Sequence, residues 1–195
     1  MIEIEQKYHV DSPDQLHDRL MAAGAVKQST QQHADTYYNH PSRDFAETHE
    51  ALRIRRCDGV PMVTYKGKKL PGKVKARQEL EWRLDPGDPD GNHMELLLTS
   101  LGFKKVATVR KTRRNYQLDH GGTQFALTID DVESLSTFAE IELVIPTPDA
   151  ADQQADVEVA RQRIIELAPH LGLQQTESRS YLRMLLESSD NVADA

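Results

Sequence analysis

Little in this chain points to an oxidising compartment, a membrane or a nucleic acid. There is one cysteine, Cys57, in 195 residues, so no intramolecular disulfide framework can form. No apolar run approaches the ~20 residues of a membrane-spanning helix. The first residues turn polar within three positions, which is not the pattern of a signal peptide. A cytoplasmic protein without membrane contact is the expectation. The net charge is −7, giving no basic footprint for a nucleic acid, and few aromatics interleave the basic residues as a stacking platform requires. There is no Walker-type loop, because Gly59, Gly67 and Gly72 are spaced as turn glycines. No Ser-His-Asp arrangement is evident. His9, His17, His33, His40, His49, His93, His120 and His170 lack metal-ligand spacing and are expected at the surface or in loops.

What is present is a sorted distribution of charge. Residues 53–83 carry ten Lys/Arg and residues 104–114 carry six, sixteen of the chain's twenty-four. The chain is long enough for one domain with a real core. Strands are expected over 2–10, 34–39, 51–57, 61–66, 73–83, 105–118, 123–131 and 138–145, the last stopped by Pro146 and Pro148. Ser12-Pro13 starts a helix that Gly24 ends. Met94, Leu97, Leu98 and Leu101 mark a second helix, and further helices are expected over 152–168 and 177–187. The connector from Gly67 to Gly72 has a mobile-loop composition.

Side chains alternate across a strand, so charges at i, i+2 and i+4 share a face. Glu3, Glu5 and Lys7 lie opposite Ile2 and Ile4. Arg53 and Arg55 lie opposite Leu52 and Ile54. Lys73, Lys75, Arg77, Glu79, Glu81 and Arg83 share one parity, as do Lys111 and Arg113, and Glu140 and Glu142. A β-sandwich with a wet outer face would alternate similarly. The composition of the faces favours a closed sheet, whose lumen gathers these side chains. Carboxylates two apart project side by side, and two such pairs on neighbouring strands can hold hard divalent cations. Surrounding Lys and Arg suit a triphosphate bridged to the metal. Apolar faces then turn outward under helices, and the empty lumen is expected to be strained by crowded like charges. For Glu79 and Glu81, salt bridges with neighbouring Lys/Arg are the plainer expectation.

These motifs, in this order, resemble the CYTH superfamily of triphosphate-tunnel enzymes, most nearly the class IV adenylate cyclase type. Glu3-Ile4-Glu5-Gln6-Lys7 is similar to the family's Glu-x-Glu-x-Lys signature. Asp35-Thr36-Tyr37-Tyr38, Phe45 through Arg55, Thr64-Tyr65-Lys66-Gly67, Lys75 through Glu81, Lys111-Thr112-Arg113-Arg114, Asp130 and Glu140-Ile141-Glu142 follow, so the resemblance spans about residues 2–186. It implies an α+β fold, a closed eight-stranded antiparallel β-barrel with helices packed outside, as one domain over 1–187 with a frayed tail at 188–195. It implies Mg²⁺ or Mn²⁺ at Glu3, Glu5, Asp130, Glu140 and Glu142. Phosphate-gripping positions fall at Lys7, Arg53, Arg55, Lys66, Lys75, Lys111 and Arg113, joined by Arg77, with Lys7 and Asp130 nearest the chemistry. Arg179 matches a C-terminal basic position more often held by lysine. Leu135-Ser136-Thr137 departs from the glycine common in relatives before the last Glu-x-Glu strand.

The expected activity is conversion of ATP to cyclic AMP and pyrophosphate. The alternatives are hydrolysis of thiamine triphosphate, inorganic triphosphate or a nucleoside triphosphate, and a non-catalytic triphosphate- or polyphosphate-binding module. The expected partner is a nucleoside or other organic triphosphate, and the resemblance allows a homodimer.

Overall fold

A strand that is apolar on one face and ionic on the other must shelter both faces differently, and this chain does so by closing its sheet into a barrel. The computed structural model describes residues 1–145 and 153–193. Eight strands build the wall: β1 (Ile2–His9), β2 (Val26–Asn39), β3 (Ala51–Cys57), β4 (Val60–Lys66), β5 (Lys75–Arg83), β6 (Lys104–His120), β7 (Thr123–Val132) and β8 (Thr137–Ile145). Their spatial order is β5-β4-β3-β2-β6-β7-β8-β1, every pair is antiparallel, and pairing of β1 with β5 closes the ring. A two-residue strand, β9 (Thr176–Glu177), pairs with Lys7 and Tyr8, the part of β1 that β5 does not reach. The fold is thus α+β, a closed eight-stranded antiparallel barrel with its helices outside.

The apolar faces turn outward. Ile2, Ile4, Leu127, Ile129, Ile141 and Leu143 pack with Leu16 and Leu20 of α1 (Pro13–Ala22) and with Val157, Ile164 and Leu167 of α4 (Gln153–His170). Across the barrel, Tyr38, Leu52, Ile54 and Val63 pack under Phe45 of the one-turn α2 (Phe45–Thr48) and Leu98 of α3 (Asn92–Ser100). Ser12 caps α1, its hydroxyl accepting the Gln15 N–H at 3.4 Å. The Asp88 carboxylate accepts the His93 and Met94 N–H groups at the start of α3, satisfying donors that a helix N-terminus leaves free.

A third apolar cluster lies inside. Tyr37, Ala51, Val109, Val132 and Phe138 have the parity of the ionic residues on their strands, and they pack against Tyr181, Leu182, Met184 and Leu185 of α5 (Tyr181–Ala193). That helix therefore closes one end of the barrel.

The differences from the sequence expectations have local causes. β2 starts at Val26 rather than 34, because Val26–Gln32 has no apolar alternation to read and is held by pairing with β6. Thr176–Glu177 joins the sheet, so the last helix begins at Tyr181 instead of 177, and it continues to Ala193. The Gly67–Gly72 connector is pinned: the Arg161 guanidinium of α4 donates to the Leu70 and Val74 carbonyls at 3.4 and 2.9 Å. Pro146 and Pro148 lie outside the described residues, as does the end of the expected tail, 194–195.

Candidate functional site

Following each strand away from α5 gives the same sequence of layers. On β2 the lumen face runs Tyr37, Asp35, His33, Gln31, Ser29, and on β6 it runs Val109, Lys111, Arg113, Asn115. On β7 it runs Val132, Asp130, Thr128, and on β8 Phe138, Glu140, Glu142. β1 contributes Lys7, Glu5 and Glu3, with Glu5 directly opposite both Lys75 and Glu142. An apolar plug is followed by a belt of charge. Beyond it, β1 and β8 offer carboxylates while β2, β6 and β7 offer neutral polar groups.

The belt contains two ion-pair networks. In one, Asp130 is fully buried and accepts from Lys111 Nζ at 2.8 Å, Arg113 Nε at 2.7 Å and the Tyr181 hydroxyl at 2.9 Å. Arg113 also reaches Glu140, and Lys7 Nζ lies 3.7 Å from the other Glu140 oxygen. Lys7 further donates to the Arg179 carbonyl at 3.1 Å and sits 3.6 Å above the Tyr181 ring centroid. In the other network, Asp35 takes a bidentate pair from Arg55 at 2.7 and 2.8 Å and a third bond from Arg53 at 3.3 Å. Lys66 bridges Glu3 at 2.7 Å to Glu79, which Arg53 also approaches. A separate pair joins Lys75 to Glu5 at 3.3 Å.

Burial works against every charge here, and the partners decide the outcome. Burial would raise the Asp35 carboxyl, yet Arg53 and Arg55 hold it far below the ordinary range. Asp130 is held low in the same way by Arg113 and Lys111. Burial pushes Lys7 and Lys111 down to about 8, Lys111 with help from Arg113. Burial would also raise Glu5, but Lys75, Lys66, Arg77 and Lys7 outweigh it. Glu142 goes the other way. Burial, with Glu3 and Glu5 nearby, pushes it up to about 7. Among the carboxylates the expected like-charge strain thus survives at Glu142, whose neighbours Glu3 and Glu5 are themselves paired with Lys66 and Lys75.

The carboxylate wall of β1 and β8 holds the residues that could take a cation. Among the described residues no three His, Cys, Asp or Glu side chains stand as a ready cluster. Glu3, Glu5 and Glu142 nonetheless form an oxygen donor set whose mutual repulsion a hard divalent ion relieves, so these residues fit the group. Glu140 borders them but is engaged by Arg113 and Lys7, and Asp130 is engaged on all sides.

The sequence-expected residues come together with one exception. Lys7, Arg53, Arg55, Lys66, Lys75, Lys111 and Arg113 line the lumen with the five acidic candidates, and Arg77 acts on Glu5 and Lys66 from β5. The Arg179 guanidinium is instead drawn to Glu177 and to Glu187, at 3.1 Å; β9 places Glu177 two residues away. Glu79 forms the salt bridges expected of it, with Lys66 and Arg53 in the lumen. Three residues have site positions that the sequence reading does not assign. Asp35 anchors two arginines, one of them, Arg55, directly across the strand pair. Tyr181 closes the lumen. His33, expected at the surface, is 6% exposed on the lumen face of β2.

Comparison with known proteins agrees with this architecture. The CYTH domain model matches residues 1–181. A Methanocaldococcus jannaschii protein named "Putative adenylate cyclase MJ0240" is 39% identical over 144 residues, 73% of this chain and 77% of that protein. The PH1819 protein of Pyrococcus horikoshii OT3 superposes with a TM-score of 0.79 at 35% identity, covering 95% of this chain and 99% of that one. HpAC1 from Hippeastrum, described as having a dominant triphosphatase activity, shares the fold with a TM-score of 0.65 at 19% identity, over 96% and 95% of the two chains.

Proposed function

Since the chain belongs to the CYTH domain family, we propose that it is a divalent-metal-dependent triphosphatase, releasing the terminal phosphate of a triphosphate held in the barrel. The observation that carries this reading is the belt of eight basic side chains, Lys7, Arg53, Arg55, Lys66, Lys75, Arg77, Lys111 and Arg113, facing a carboxylate wall at Glu3, Glu5 and Glu142. Lys and Arg drawn from five strands grip phosphate oxygens from several directions, which fixes the chain of phosphorus atoms. Asp35 and Asp130 hold four of these groups, Arg53, Arg55, Lys111 and Arg113, in place before substrate arrives, so little reorganisation is left for the reaction. Glu3, Glu5 and Glu142 would hold a divalent ion, which would supply positive charge to the phosphate oxygens. Tyr181 and the apolar plug beneath it exclude water from one end.

Hydrolysis asks only for a fixed terminal phosphate and a water. Cyclisation needs, in addition, a ribose hydroxyl held in line with the α-phosphorus. The dominant triphosphatase activity described for HpAC1, on the same fold, supports the simpler demand. Cyclic AMP formation is the second reading, favoured by the 39% identity to MJ0240 and its name. Incubation with ATP, thiamine triphosphate and inorganic triphosphate, each with Mg²⁺ or Mn²⁺, followed by chromatography, separates them. Orthophosphate without cyclic product is expected. Cyclic AMP with stoichiometric pyrophosphate would move the assignment to the cyclase, and tight binding without any product would make the chain a binding module.

A further inference from the structure

The neutral side of the lumen, beyond the cation belt, is itself organised. Asn115 on β6 donates through Nδ2 to Ser29 Oγ and to Gln31 Oε1 on β2, both at 2.9 Å. Gln31 Oε1 also lies 3.4 Å from His33 Nε2. Because Gln31 Oε1 is an acceptor in the first bond, His33 Nε2 carries the proton in the second, and Nδ1 of the neutral ring is left as an acceptor. Burial, reinforced by Arg55, Lys111 and Arg113, pushes the imidazole down to about 3 and keeps it neutral. His33 Nδ1 is buried and has no hydrogen-bond partner among the described residues. The same is true of Thr128 Oγ1, on the strand position opposite both Asn115 and Glu140.

A buried polar atom without a partner is costly, and native structures rarely tolerate one without a reason. Phosphate cannot supply the missing partner, since at neutral pH a bound triphosphate offers acceptors only. His33 Nδ1 requires a donor, an O–H or N–H. Phosphates drawn to Lys111 and Arg113 bring the next part of the ligand to this acceptor, with the half-buried Ser29, Gln31 and Asn115 farther from α5.

We propose that Ser29, Gln31, His33, Asn115 and Thr128 form a head-group subsite that selects triphosphates esterified to a hydroxyl- and amino-bearing organic group, such as a nucleoside, over inorganic triphosphate. The proposal rests on the triphosphate reading of the lumen, but not on which phosphorus is attacked. The carboxylate wall takes the cation, the belt takes the phosphates, and the neutral wall reads what the phosphates are attached to. Groups that recognise an organic head by hydrogen bonds discriminate strongly against ligands lacking them, because buried acceptors are then left unpaired.

Calorimetry on the full chain in EDTA, where the metal-dependent turnover proposed above is off, tests this through binding alone. The probes are ATP, methyl triphosphate (the same phosphate chain without a donor-bearing head) and inorganic triphosphate. Wild-type protein is expected to bind ATP more tightly than methyl triphosphate. Asn115→Ala and Gln31→Ala, which sit at half-buried positions, should each weaken ATP by about three- to tenfold and leave the other two probes within about twofold. His33→Phe, which fills the space without an acceptor, should narrow the preference for ATP further. Equal loss for all three probes, or equal wild-type affinity for ATP and methyl triphosphate, would overturn the subsite. Failure to hydrolyse any probe once Mg²⁺ or Mn²⁺ is added, with the ATP preference intact, would overturn the proposed reaction and leave the subsite standing.

Discussion

Glu142 is where a single residue carries the functional tension of the site. Its carboxyl has Glu5 directly across the strand pair and Glu3 nearby, and burial adds to their repulsion, lifting it from 4.5 to about 7. A carboxyl raised on folding favours the native state while it is protonated, and that contribution is lost as pH climbs through the folded value. The window here runs from about 4.5 to about 7, and the full effect is on the order of 3 kcal/mol. In metal-free protein, the stability of wild type relative to Glu142→Gln should fall across that window and stay level above it. His33 titrates over an overlapping range with the opposite sign, but it is common to both proteins and cancels in the difference. Urea unfolding in EDTA at several pH values measures this, and a difference independent of pH would remove the carboxylate wall as a strained donor set. Around Arg113 the crowding of like charge is offset, because its guanidinium is shared by Asp130 and Glu140 even as it helps push Lys111 down. Strain and pairing thus sit side by side in one cavity, since Glu3 and Glu5 next to Glu142 are paired with Lys66 and Lys75.

Among the elements, α5 shows how a helix can finish a barrel that its strands leave open. Tyr181 puts its hydroxyl on Asp130 and its ring against Phe138, 5.3 Å between centroids. Removing the hydroxyl alone, in Tyr181→Phe, withdraws one of four donors from a carboxylate that keeps Lys111 and Arg113, so a loss of about 1–2 kcal/mol is expected. Tyr181→Ala also empties the plug and should cost about 3–5 kcal/mol, read by urea denaturation. Near-equal losses would mean that the ring packs nothing. None of this was legible in the sequence, where Tyr181 is one more aromatic on a terminal helix and its partners are 51 and 43 positions away in Asp130 and Phe138. The strands were legible wherever one face is apolar: Ile2/Ile4, Leu52/Ile54 and Ile141/Leu143 fix both register and the direction of the charges beside them. β2 before His33 was not, because both of its faces are polar there and only pairing with β6 holds it extended. His33 was misplaced for the same reason. Its burial depends on Lys111 and Cys57 across the sheet, a fact that no spacing rule within residues 26–39 contains.

For the molecule as a whole, the closed barrel makes the carboxylate wall and the cation belt compete for each other in the free state. Glu3 is tied to Lys66 and Glu5 to Lys75. A triphosphate that draws Lys66 and Lys75 onto its oxygens releases Glu3 and Glu5 for a metal, and a metal on Glu3 and Glu5 releases the two lysines for phosphate. Each ligand therefore removes a cost that the other would otherwise meet, and the coupling is reciprocal by thermodynamic necessity. Coupling of this kind commonly amounts to about 1–3 kcal/mol. Thermal unfolding with Mg²⁺ alone, inorganic triphosphate alone in EDTA, and both together should show a joint rise in Tm larger than the two separate rises combined. Magnesium also associates with triphosphate in solution, so the informative quantity is how the excess changes with the protein. Glu5→Gln leaves Lys75 without its carboxylate and free for phosphate from the start. In that variant, inorganic triphosphate alone should stabilise more than it does wild type, while the joint excess shrinks. An excess unchanged by the substitution would show that the metal arrives with the phosphate and owes nothing to Glu5.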